Sequence, residues 1–260
     1  MPEVSKPPAL ECSAAVLQAS RLTKTYRGAS LPAIHELDLT VYEEEIFGLL
    51  GPNGAGKTTA ISVMCTLMRP TSGMVTICGL DTLRHPARVR STIGIVPQRV
   101  ALYERLTARE NLTHFGRMYG LKGKPLREAV GAGLAFADLE RRADQPVRTF
   151  SVGMQRRINL AAGILHRPRL LFLDEPTAGI DAQSRTAILE NIMKLKDQGT
   201  TIVYTTHYLE EAEALCSRIA IIDQGRLVAH GRSDLLMHQY PGCHDLDDLF
   251  LLLTGGRNRH

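Results

Sequence analysis

Two short stretches of this sequence hold the residue types that phosphate chemistry requires. Gly51-Pro-Asn-Gly-Ala-Gly-Lys57-Thr58 fits the pattern G-x-x-x-x-G-K-[ST], and it lies between the apolar run Ile46 to Leu50 and a stretch of helical character beginning at Lys57. In that setting the glycines let the backbone curl, so that successive N–H groups and the positive end of the following helix face one anion. Gly51, Pro52, Asn53, Gly54, Ala55 and Gly56 form the predicted cradle. Lys57 supplies charge to the outer phosphates, and Thr59 helps at the neighbouring one. The Thr58 hydroxyl is a ligand for Mg²⁺, a hard cation that prefers a few oxygen donors, phosphate oxygens and retained waters.

The second stretch, Leu170-Leu-Phe-Leu-Asp174-Glu175, is an apolar run ending in two carboxylates. That arrangement suits a metal held beside a phosphate loop, and the two acids need different tasks. Asp174, at the end of the run, reaches the Mg²⁺ shell. Glu175, one residue on, is free to orient or deprotonate an attacking water.

The elements that must position these groups can be read from periodicity. Leu17-Gln-Ala-Ser and Leu37-Asp-Leu-Thr-Val alternate as strands of an antiparallel sheet. Ile46 to Leu50, Ile93 to Val96, Leu170 to Leu173, Thr201 to Thr205 and Ile219 to Ile222 are short apolar runs, as expected of parallel strands covered on both faces. A helix is predicted from Lys57 to Met68, stopped by Pro70. Another is capped by Asp181, shows Ile188, Ile192 and Leu195 on one face, and is closed by Gly199. Alternating strands and helices argue for an α/β fold. From about 106 to 165 only helical spacing and polar turns occur, which reads as a helical subdomain inserted into the core. Gly225 sits in a turn between two strands, and the tail from Ser233 reads as mostly helical.

Composition narrows the class. At 260 residues, 44% hydrophobic and 22% charged, the chain is neither disordered nor fibrous and can bury a substantial core. Its longest apolar runs fall far short of the roughly 20 residues that a membrane-spanning helix needs. Residues 1–15 carry Pro7, Pro8 and Glu11 where a secretory signal needs a continuous apolar core, so a cytoplasmic location is expected. Five cysteines, Cys12, Cys65, Cys78, Cys216 and Cys243, show no C-x-x-C spacing and read as reduced thiols. The net charge of +4 is spread among acids rather than gathered in a stripe, so nucleic-acid binding is not expected, and Arg257 and Arg259 read as a solvated tail.

Further motifs join the two stretches in chain order: Gln98 in Ile95-Val-Pro-Gln, Phe150-Ser-Val-Gly-Met-Gln155-Arg-Arg, Ala178-Gly-Ile-Asp181, and His207 in Thr205-Thr-His. The set resembles the nucleotide-binding domain of ABC transporters from about Val16 to Gly231. The resemblance implies a P-loop NTPase (RecA-like) core with an N-terminal antiparallel β subdomain and an inserted helical signature subdomain at about 106–165. The domains would then be 1–15, a flexible N-terminal segment; 16–231, the nucleotide-binding domain; and 232–260, a short C-terminal extension of one or two helices.

By the same resemblance the ligands are ATP and Mg²⁺, with Thr58, Gln98 and Asp174 at the metal and Glu175, His207, Gln98 and Lys57 catalytic. Tyr26 stacks on adenine. Gln98 touches Mg²⁺ and water and reports to a membrane partner, and the switch residue His207 bonds the γ-phosphate. Ser151 and Gly153, in the signature that opens a helix, receive the γ-phosphate held by another subunit, and Asp181 meets that subunit too. A head-to-tail dimer follows, expected to be of two copies of this chain. A separate integral membrane permease docks near Gln98 to Met118 and chooses a cargo that this chain does not bind. The chain would sit on the cytoplasmic face of the membrane.

Relative to the usual Leu-Ser-Gly-Gly-Gln, Phe150, Val152 and Met154 are departures. Gly-Met variants, together with Thr206-His-Tyr-Leu-Glu-Glu-Ala and Leu246-Asp-Asp-Leu-Phe-Leu-Leu-Leu-Thr-Gly, resemble the subfamily that exports drugs, lipids and polysaccharides. Val152 adds a β-branched side chain where the helix must approach nucleotide, which implies slower hydrolysis. Two alternatives stay open at this stage. One is a soluble ABC ATPase that assembles or remodels a complex, as in iron-sulfur assembly. The other is a subunit that binds ATP only to dimerise, against which Glu175 and His207 argue.

Overall fold

The computed structural model describes residues 14–240 and 242–255. Residues 1–13, with Cys12, and the tail arginines Arg257 and Arg259 lie outside the described residues.

Along the chain, alternation first produces β1 (Ala15–Lys24) and β2 (Ile34–Tyr42), in which Leu22, Leu37, Leu39 and Val41 are buried between more exposed neighbours. β3 (Ile46–Leu50) is buried along its whole length and leads into α1 (Lys57–Met64). β4 (Ser72–Ile77) and β5 (Leu80–Asp81) follow, then α2 (Pro86–Thr92) and β6 (Ile93–Val96). Three longer helices come next, α3 (Ala108–Met118), α4 (Gly123–Phe136) and α5 (Val152–Ile164). The remaining core elements are β7 (Leu170–Asp174), α6 (Ala182–Asp197), β8 (Thr201–Thr205), α7 (Leu209–Leu215), β9 (Arg218–Asp223) and β10 (Arg226–Arg232). The chain ends in α8 (Ser233–Gln239) and α9 (Leu246–Gly255).

The strands form two sheets. One is antiparallel, in the order β2-β1-β4-β5. The other runs β10-β9-β3-β8-β7-β6; β9, β3, β8, β7 and β6 are parallel, and β10 returns antiparallel as a hairpin through Gly225. The two runs that carry the phosphate loop and the paired carboxylates are thus separated by β8 alone, and both end at the same sheet edge.

Strand alternation divides the core. Leu170 and Phe172 face the apolar layer shared with the antiparallel sheet and α1, whereas Leu171 and Leu173 face Ile188, Ile192 and Leu195 of α6 and Leu160 of α5. A third cluster, with Leu112, Leu126, Leu134, Ile158 and Leu165, lies among α3, α4 and α5. The α/β architecture, with its antiparallel sheet and inserted helices, is the one predicted from sequence. The first helix is shorter than predicted. α1 ends at Met64, because Thr66 adopts a left-handed conformation (φ 68°) and the Met68 N–H turns back to the Ser62 carbonyl at 2.9 Å.

Candidate active site

The glycine-rich loop closes on α1 through Gly56, its N-cap, at φ 108°, where a Cβ atom would stand 2.5 Å from the Ala33 carbonyl oxygen. Only glycine fits that turn without moving β2's approach. Lys57 is buried at the start of the helix, and its ammonium donates to the carbonyls of Gly51 (2.7 Å) and Pro52 (3.2 Å). Burial lowers its pKa, and the Glu175 and Asp174 carboxylates oppose that shift. Tyr26, half exposed, places its hydroxyl 3.1 Å from Thr59 Oγ1 and so stands beside the loop.

Across the strand ends, Thr58 Oγ1 donates to Asp174 Oδ2 at 3.0 Å, and Thr205 Oγ1 donates to Asp174 Oδ1 at 2.7 Å. Thr205 also accepts the Glu175 N–H, at 3.0 Å, where the chain leaves β7 in a left-handed turn at Glu175 (φ 47°). That turn sends the two carboxylates in different directions. Glu175 Oε2 accepts from Gln98 Nε2 at 2.9 Å and lies 3.2 Å from His207 Nδ1. Its side chain is 11% exposed and that of His207 42%, so the pair sits at the wall of a cleft open to solvent. The cleft, about 380 Å³, is lined by Gly51, Asn53, Gln98, Glu175 and His207. Lys57, Thr58, Asp174, Glu175, Gln98 and His207 therefore come together from α1, the end of β7 and the loops after β6, β7 and β8.

Ser151, Gly153 and Asp181 gather at a second place. Ser151 is the N-cap of α5 and accepts from Met154 N at 3.3 Å; Asp181 is the N-cap of α6 and accepts from Ser184 N at 2.9 Å. That hydrogen bond holds the Asp181 carboxyl below its usual range. The two helix starts touch: a Cβ on Gly153 would be 2.2 Å from Ser184 Oγ. Val152 points outward, 53% exposed.

Sequence reasoning missed the residues that join these places. Arg156, on α5, donates through Nη1 to the Gln98 carbonyl and through Nη2 to the Ala178 carbonyl at 3.2 Å. Burial lowers its pKa while Glu175 opposes. Its presence in Gln155-Arg-Arg was visible, but partners 58 and 22 residues away were not. Thr205 had no signal beyond its neighbour His207. Phe250 of α9 also lines the cleft, from an apolar run whose spacing gave no direction.

The arrangement can hold a triphosphate on a backbone cradle, a metal on converging oxygens and a water beside a carboxylate. The family model "ABC transporter" matches residues 34–178. The linearmycin resistance ATP-binding protein LnrL of Bacillus subtilis (strain 168) is 43% identical over 243 residues, covering 94% of this chain and 76% of that one. The Nod factor export ATP-binding protein I of Sinorhizobium fredii (strain NBRC 101917 / NGR234) is 42% identical, covering 87% of this chain and 66% of that one. The chain thus spans about two thirds to three quarters of the length of these relatives. Among solved structures, the dimeric post-hydrolysis state of the ATP-binding cassette MJ0796 bound to ADP and Pi superposes with a TM-score of 0.76 at 28% identity, over 83% of this chain and 98% of that one. This chain belongs to the ABC transporter family, as one of its ATP-binding, ATP-hydrolysing subunits.

Proposed function

We propose that the chain hydrolyses MgATP at a site completed by a second nucleotide-binding subunit and uses the cycle to drive a separate membrane permease in export. The observation that carries the catalytic part is the Glu175 carboxylate held by both Gln98 and His207 at the cleft wall, at 2.9 and 3.2 Å. Glu175 orients and deprotonates the attacking water, Lys57 and the cradle N–H groups stabilise charge on the transferred phosphoryl group, and His207 holds the γ-phosphate. Tyr26, exposed beside Thr59, stacks on adenine.

Mg²⁺ fits the donor set: the Thr58 hydroxyl and Asp174 carboxylate already converge, and the Gln98 side chain, whose nitrogen donates to Glu175, would offer its oxygen as a third donor. When bound, the ion neutralises charge between the outer phosphates. The second subunit, by this reading a copy of the chain, presents Ser151 and Gly153 at its α5 N-terminus to the γ-phosphate, and Asp181 faces it. LnrL is a resistance protein and the Nod factor protein an export protein, by name. Those names support export, with the cargo chosen by the permease. Exposed Tyr103 and Met118 suit a permease docked near Gln98 to Met118. No helix among the described residues is long and apolar enough to cross a membrane, which fits a subunit bound to the cytoplasmic face through that partner.

The test is to isolate a tagged Glu175→Gln form with ATP from detergent-solubilised membranes. A polytopic membrane protein in stoichiometric yield is the expected result; capture of soluble proteins alone would contradict the transport reading.

A further inference from the structure

Glu211, in α7, belongs to none of the roles above, yet it is 4% exposed and sits behind both catalytic loops. Three hydroxyls donate to its Oε2: Thr206 at 2.7 Å, Tyr204 at 2.7 Å and Thr177 at 3.0 Å. The three hydroxyls share that one oxygen as acceptor. Its other oxygen, Oε1, has no hydrogen-bond partner and stands 3.6 Å from Arg185 Nε, whose guanidinium also lies 4.2 Å over the Tyr208 ring. Burying a carboxyl group with one oxygen unpaired costs stability, and apolar packing of equal volume often does as well or better.

The three donors come from meaningful places. Thr177 lies two residues beyond Glu175, Thr206 lies immediately before His207, and Tyr204 lies in β8 opposite Leu173 of β7. Thr206 also accepts the Tyr208 N–H at 3.0 Å, so the hydroxyl braces both sides of His207. One carboxylate thereby ties the loop that carries the base to the loop that carries the γ-phosphate contact. The His207 ring lies 3.2 Å from Glu175 Oε2 through Nδ1 and packs on the Tyr208 ring at 4.1 Å between centroids, so its placement follows the backbone that Thr206 braces. A misplacement of about 1 Å at such a pair costs on the order of 100-fold in rate.

We propose that Glu211 is a positioning residue for hydrolysis, setting the Glu175–His207 geometry through Thr206 and Thr177. The proposal rests on the roles given to Glu175 and His207 above.

The experiment measures ATP turnover and ATP affinity of the full chain for Thr206→Val, Thr206→Ser, Glu211→Gln and the double variant Glu211→Gln with His207→Ala. Thr206→Val keeps volume and loses the hydroxyl; Thr206→Ser does the reverse. The expected result is a fall in kcat of about 10-fold or more for Thr206→Val and Glu211→Gln, with KM changed less than about twofold and Thr206→Ser close to the parent. In the His207→Ala background Glu211→Gln costs clearly less than in the parent, because only its Thr177 arm towards Glu175 is left to disturb. A purely structural role gives the opposite order for the two Thr206 variants, or losses that multiply with His207→Ala, and either overturns the proposal. If Glu211→Gln does not fold, the Thr206 pair decides alone. Glu175→Gln and His207→Ala run beside them: parent-like turnover in both defeats the catalytic reading itself, whereas loss there with parent-like Thr206→Val and Glu211→Gln defeats this proposal only.

Discussion

Thr58 Oγ1 donates to Asp174 Oδ2 across 3.0 Å, joining the first turn of α1 to the end of β7, residues 116 positions apart. The bond brings to one point the two hard oxygens proposed above as Mg²⁺ ligands. Thr58→Ala removes one of them, and the Mg²⁺ concentration for half-maximal turnover rises at least about 10-fold. Thr58→Ser stays near the parent. A Mg²⁺ titration of turnover checks this, and equal midpoints for all three proteins exclude Thr58 as a ligand.

Arg156 spans two loops with one planar fork, from the Gln98 carbonyl to the Ala178 carbonyl. A lysine keeps the charge but reaches one carbonyl at most. Arg156→Lys is expected to lower kcat about 10-fold, at little cost in ATP affinity, because the loop that carries Gln98 loses its anchor. Separate measurement of kcat and KM shows which parameter moves; a change confined to KM contradicts the anchor role.

Gly153 has no room for a methyl group against Ser184. Gly153→Ala drives α5 and α6 apart at their capped starts and destabilises the fold by about 1–3 kcal/mol. Ser184→Gly, which clears the contacting atoms, restores much of that loss. Denaturant midpoints of the single and double variants read the coupling, and additive effects in the double variant contradict a direct clash.

His166 stacks on Tyr119 with ring centroids 3.6 Å apart, bonds the Ile93 carbonyl through Nε2 at 2.8 Å, and leaves Nδ1 without a partner. Burial lowers its pKa below 6.5, partly offset by the Ile93 carbonyl. The unfolded chain therefore binds more protons below about pH 6.5, so this group's contribution is present above that pH and is lost as pH falls towards the folded value. The slope is at most about 1.4 kcal/mol per pH unit for one proton. Urea midpoints from pH 8 to pH 5 are expected to fall less steeply in His166→Gln than in the parent; parallel curves contradict the assignment.

What the sequence disclosed was local. The phosphate loop and the paired carboxylates are contiguous stretches between periodic elements, so their places at the sheet edge follow from the strands that carry them. The cap at Asp181 was legible for the same reason. The end of α1 was not, because a left-handed threonine carries no signal of the kind that glycine gives. Arg156 and Glu211 were illegible as functional groups because their partners lie up to 58 and 34 residues away and meet only after β6, β7 and β8 pair. Tyr204 read as one more buried strand residue, and only its hydroxyl, 2.7 Å from Glu211, shows that the strand interior holds a polar junction.

The most direct test of the central claim is single-turnover and steady-state hydrolysis by the full chain and its Glu175→Gln form at saturating MgATP, with bound ATP measured in parallel. Loss of roughly 100-fold or more in turnover with ATP binding retained is the predicted result, because glutamine keeps the shape and the hydrogen bonds but cannot take a proton from water. Equal turnover by the two proteins would contradict the assignment of Glu175 as the base.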